Sequence, residues 1–99
     1  MVNTTMTESG LERWARKQAA RHGVLMYKFR SPTRRGVPDA ILFFNGAAAL
    51  VEFKSPKGTG KLSKLQEKEI AKLREHYLRV YVVNSPDQFN DVLVSMGVV

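Results

Sequence analysis

Apolar residues recur at helical spacing near the start of the chain, where Leu11, Ala15 and Ala19 form one stripe and Arg13, Arg16, Lys17 and Arg21 lie around the other side. This predicts an amphipathic helix from about Glu8 to His22, ended by Gly23 because glycine readily takes the left-handed conformation of a helix stop. Val24–Phe29 reads as a strand, and Ser31–Pro38, with Pro32, Gly36 and the pair Arg34-Arg35, as a loop. Two apolar runs then flank Asn45-Gly46, residues that tolerate positive φ, so a tight hairpin of Asp39–Phe44 and Ala47–Lys54 is expected. The glycine-containing basic stretch Ser55–Leu62 is a loop. A second helix is predicted from Ser63 to about Tyr77, with Gln66, Ile70, Leu73 and Tyr77 facing inward. Val80–Asn84 is a further strand, and Ser85-Pro86 with Gln88 opens a last helix that ends near Gly97. The order is helix, three strands, helix, strand, helix, an α/β pattern without repeats or an internal linker.

Composition narrows the chemistry. A chain of 99 residues makes one compact domain, so any active site sits on a single core. Residues 1–7 are expected to be flexible and lack the basic and apolar regions of a secretory signal, and no apolar run approaches the roughly 20 residues of a membrane span. A cytoplasmic location without membrane association is the expectation. The absence of cysteine excludes disulfides, thiolate zinc sites and cysteine nucleophiles, and two histidines are too few for a histidine-rich metal site. Sixteen Lys and Arg against nine Asp and Glu give a net charge of +7, which favours a polyanionic partner such as nucleic acid.

The hairpin brings candidate chemistry together. A two-residue turn sets Phe44 opposite Ala47 and, counting outward, Asp39 opposite Glu52. Opposed residues share a face at about 5 Å between Cβ atoms, where like charges repel, so something positive should bind between them. Alternation puts Lys54 on the face of Glu52. Such an oxygen-lined site suits Mg²⁺ or Mn²⁺. Glu8 and Glu12 border the buried stripe of the first helix, although Thr5-x-x-Glu8 and Ser9-x-x-Glu12 also fit a capping box. Ser63-x-x-Gln66 fits one too, a role compatible with an inward-facing Gln66. Trp14, Met26 and Phe29 read as core residues, and His22 as a contact to the helix dipole.

Gly36-Val37-Pro38-Asp39, Glu52-Phe53-Lys54 and Leu62-Ser63 with Gln66 resemble, in order and spacing, the motifs of the VRR-NUC (virus-type replication-repair nuclease) family, a branch of the PD-(D/E)xK nuclease superfamily. The similarity runs over essentially the whole chain, including Tyr27-Lys28-Phe29 and Val80–Ser85. It implies a restriction-endonuclease-like core, a mixed β-sheet flanked by helices, and Mg²⁺- or Mn²⁺-assisted phosphodiester hydrolysis. It also implies that short standalone members act as homodimers on branched DNA such as Holliday junctions, and the small standalone format suggests a bacterial or phage-infected cell. Carried over by motif, Asp39, Glu52 and the Phe53 carbonyl are metal ligands, Lys54 is the catalytic lysine and Gln66 the helix glutamine. For the acid of the first helix, the distance to the closing glycine favours Glu12, with Glu8 one turn earlier as the substitute. Arg30, Arg34 and Arg35 before Asp39, with Lys57, Lys61 and Lys64 beyond Lys54, are the expected DNA-backbone contacts. A non-catalytic nucleic-acid-binding module is the alternative function.

Overall fold

The computed structural model describes residues 6–58 and 60–98. Its elements run α1 (Glu8–Arg21), β1 (Leu25–Lys28), β2 (Ala40–Phe44), β3 (Ala47–Phe53), α2 (Lys64–Glu75), β4 (Val80–Val83) and α3 (Pro86–Ser95), in the predicted order. Predicted and observed strand ends differ by at most one residue. The four strands form one sheet in the order β1-β2-β3-β4, the first two pairings antiparallel and β3 with β4 parallel. This is the expected mixed sheet flanked by helices, consistent with a restriction-endonuclease-like fold. Among the described residues no helix is long and apolar enough to cross a membrane.

Period-2 alternation decides what each face of the sheet carries. Ala40, Leu42, Ala49, Val51 and Phe53 point to one side, where they are buried with Leu11, Ala15 and Ala19 of α1 and Phe89, Val92 and Leu93 of α3. Phe53 and Phe89 meet there with ring centroids 6.1 Å apart, and Trp14 packs edge-on against Phe89. On the other side α2 lies over β4, where Ile70 and Val80 are buried. Asp39, Glu52 and Lys54 belong to this second side, at the end of the sheet.

Local chemistry accounts for most element ends. The hairpin turn holds Asn45 at φ 46° and Gly46 at φ 82°, the two positive values its tight geometry requires. Gly23, at φ 73°, closes α1, with the Val24 N–H donating to the Ala19 carbonyl. Both histidines are helix C-caps, His22 on α1 and His76 on α2.

Three expectations are corrected. The N-cap of α1 is Thr7, whose hydroxyl accepts from the Gly10 N–H, so Ser9 and Glu12 lie inside the helix and form no capping box; Thr5, like the rest of residues 1–5, lies outside the described residues. Tyr77 does not continue the inward stripe of α2: the helix stops at Glu75, and Tyr77 takes the left-handed position beyond its cap at φ 63°, with a side chain 95% exposed. Phe29 is not a core residue, being 37% exposed. It continues the β1 ladder, its N–H donating to the Asp39 carbonyl, and alternation puts it with Leu25 and Tyr27 on the face opposite the core.

Candidate active site

Two strand ends and the first turn of α2 build the site. The β2–β3 register pairs Phe44 with Ala47 and Ala40 with Val51, as predicted, and its continuation by one residue sets Asp39 opposite Glu52. Beyond Phe53 the ladder goes on, the Lys54 N–H donating to the Val83 carbonyl at 2.9 Å, so Lys54 keeps the face of Glu52. Its ammonium lies 3.8 Å from Glu52 Oε2.

Gln66 joins these groups. Its Nε2 donates to Glu52 Oε2 at 3.0 Å, while its Oε1 accepts from Lys54 Nζ at 3.0 Å and from the Ser63 N–H at 2.9 Å. The Ser63 hydroxyl accepts from the Gln66 N–H, which completes the capping box. One amide therefore starts the helix and holds a carboxylate and an ammonium in fixed relation.

Gly36 makes the close packing possible. It has φ 82°, and a Cβ placed there would lie 2.6 Å from the Leu65 carbonyl oxygen and 2.9 Å from the Gln66 nitrogen. Only a residue without a side chain lets the β1–β2 loop press on the peptide that carries Gln66.

The electrostatics are those of acids short of positive charge. Burial, then the neighbouring charge of Glu12, pushes Asp39 up to about 6, against the Phe53 backbone N–H and Lys28, which pull it down. Burial, then the charge of Asp39, pushes Glu52 up to about 7, opposed by Lys54. Asp39 Oδ1 is buried without a hydrogen-bond partner among the described residues. An orphaned buried carboxylate oxygen costs about 1–3 kcal/mol, and a cation offsets that cost. Asp39 and Glu52 thus fit a divalent metal by donor type and by unmet demand for charge.

Helix α1 contributes less directly. Glu12 is held by Arg16 and Lys28, each 3.2 Å from its Oε2. The charge of Glu8 acts on both Asp39 and Glu52. Among the described residues no three acidic or histidine side chains stand together as a ready metal cluster.

The predicted DNA-facing cations are exposed at Arg30, Arg35, Lys57, Lys61 and Lys64. Arg34 is engaged by Glu69, with Nη2 to Oε1 at 2.9 Å and Nε to Oε2 at 3.1 Å. That fork ties the loop to α2. Sequence reasoning missed it because its partners are far apart in the chain and each also reads as an ordinary solvated charge.

Comparison with known proteins agrees with this arrangement. No curated protein sequence shows significant similarity to the chain. A solved structure described as a VRR_NUC domain is similar at TM-score 0.78 and 25% identity, over 91% of this chain and 96% of that one. The sequence profile of the VRR-NUC domain matches residues 3–87, a span that holds the opposed carboxylates, Lys54 and Gln66. With fold, motif order and profile in agreement, the chain belongs to the VRR-NUC family, which is of nuclease type.

Proposed function

We propose that this protein is a Mg²⁺- or Mn²⁺-dependent endonuclease that hydrolyses phosphodiester bonds in DNA, with branched DNA such as Holliday junctions as its favoured substrate. The observation that carries the reading is the pair Asp39 and Glu52, opposed on two strands with a buried oxygen unmet, beside an ammonium held by Gln66. The metal would be held by Asp39, Glu52 and the Phe53 carbonyl, with a third acid from α1, Glu12 or, one turn earlier, Glu8. Such an ion supplies charge neutralisation at the phosphate and an acidified water.

The chain's own groups do the rest. Lys54, fixed through Gln66 Oε1, offers its remaining N–H donors to a phosphoryl oxygen or to the attacking water, where charge develops. Gln66 accepts from Lys54 and donates to Glu52, so it bridges the two, whose own ion pair is long at 3.8 Å. The cations of the two flanking loops hold the backbone of the substrate without reading bases.

A homodimer acting in the cytoplasm completes the proposal. The uncovered half of the sheet supports self-association: Leu25, Tyr27 and Phe43 are 56%, 55% and 40% exposed on the side of β1 and β2 that carries no helix among the described residues. A two-fold pair would place two centres on one junction.

The test is incubation with labelled four-way junction, flap, duplex and single-stranded DNA in Mg²⁺, Mn²⁺ or EDTA. Ion-dependent cleavage, strongest on branched DNA, is expected, and no cleavage of any DNA removes the reading. The Lys54→Ala variant should lose at least about 100-fold in cleavage rate while keeping most of its DNA affinity. A non-catalytic module would have no cleavage to lose.

A further inference from the structure

Beside the catalytic end lies a basic groove that the motifs do not include. It has a volume of about 330 Å³ and runs between the β1–β2 loop and α2, lined by Arg34 and Arg35 on one side and by Leu65, Lys68, Glu69 and Lys72 on the other. Its walls are fixed twice: by the Arg34–Glu69 fork and by the seat of Gly36 on the Leu65 carbonyl. Arg34 pairs with Glu69, whose carboxylate also feels the charge of Lys72, so the groove keeps the net positive charge of Arg35, Lys68 and Lys72.

We propose that this groove is a track for the sugar-phosphate backbone of a DNA duplex arm, with Lys68 and Lys72 as substrate-positioning residues. The inference rests on the nuclease reading and adds to it a path for the substrate away from the scissile bond. Leu65, at one end of the track, is the chain neighbour of Gln66 and so lies against the site. From Leu65 to Lys72 the helix advances about 10 Å, and Lys68 and Lys72 stand about 6 Å apart along it, close to the spacing of successive phosphates on one strand. Lys64, Lys68 and Lys72 recur at every fourth position of α2, so the exposed Lys64 extends the same column toward the site. An anionic polymer suits this geometry, since the groove is open and, besides Thr33 and Leu65, every residue lining it carries a charge, four of those five being cations whose long alkyl stems supply apolar wall beneath their charged ends.

Salt dependence of binding separates a track from general attraction to a basic protein. Affinity of the full chain for a fluorescent duplex and a fluorescent four-way junction is measured in EDTA over a series of NaCl concentrations. Each phosphate contact contributes a slope of about 0.9 in the logarithmic plot. The double variant Lys68→Gln with Lys72→Gln should lower that slope by about two. Arg13→Gln with Lys17→Gln, which removes the same charge from the exposed side of α1, should leave it nearly unchanged. An unchanged slope for the α2 pair, or an equal fall for the α1 pair, overturns the proposal. Cleavage by the unaltered protein is assayed in parallel. Binding with the expected slopes but no cleavage supports the track and removes the nuclease reading, whereas cleavage with an unchanged slope does the reverse.

Discussion

Glu52 and Asp39 are placed where ionisation is costly, and the sign of that cost gives a test. Their folded values, about 7 and about 6, lie above the ordinary 4.5 and 3.8, so between these limits the unfolded chain has released protons that the folded one keeps. Stability contributed by these groups is therefore full below about pH 4 and falls as pH rises toward 7. Glu52→Gln should relieve it, raising stability at pH 8 by on the order of 2 kcal/mol and much less at pH 4, while abolishing cleavage. Thermal unfolding of both proteins at the two pH values, without divalent ions, measures this. Adding Mg²⁺ or Mn²⁺ at pH 8 should raise the melting temperature of the native protein and leave that of the variant nearly unmoved.

Tyr77 makes a second residue-scale prediction of opposite character. A bulky residue in the left-handed region is strained by about 1 kcal/mol, and this one is too exposed to recover the cost by packing. Tyr77→Gly should stabilise the chain by roughly 0.5–1 kcal/mol in urea unfolding, with cleavage unaffected.

At the scale of elements, the contact between the β1–β2 loop and α2 decides whether the site exists. Gly36→Ala would both strain a positive φ and drive a methyl group into the Leu65 carbonyl, so the loop and the first turn of α2 must separate. The expected result is a loss of about 1–3 kcal/mol in stability together with a fall in cleavage rate of at least about 10-fold. Helix α1 poses the remaining question of the third acid. Glu12 is paired with Arg16 and Lys28 yet acts on Asp39 more strongly than Glu8 does, whereas only Glu8 of the two also acts on Glu52. Binding of Mn²⁺ to Glu8→Gln and Glu12→Gln, followed calorimetrically, identifies the ligand as the residue whose loss weakens affinity at least about 10-fold.

For the molecule as a whole, the exposed apolar half of the sheet and the acidic pair are two ends of one surface, since Asp39, Ile41 and Phe43 alternate onto the same side of β2. Association through it would bring two centres close together. Sedimentation at micromolar concentration should show a dimer, and Phe43→Lys should shift it to monomer without unfolding it, since Phe43 lies outside the core. A native protein that sediments only as monomer, with and without junction DNA, removes the dimer.

What the chain alone determined is what neighbouring residues settle among themselves. Helical periodicity placed Leu11, Ala15 and Ala19 in the core, and Asn45-Gly46 set the hairpin register and with it the opposition of Asp39 and Glu52. Ser63 and Gln66 stood three apart as a cap. Each of these depends on backbone geometry a few residues long. Tertiary structure alone decided that Arg34 closes on Glu69, 35 positions away, that Gly36 seats on Leu65, and that Glu12 turns to Lys28. Those outcomes follow from which surfaces meet when the sheet and helices pack, and a charge or a side chain does not carry the identity of a distant partner in its own spacing.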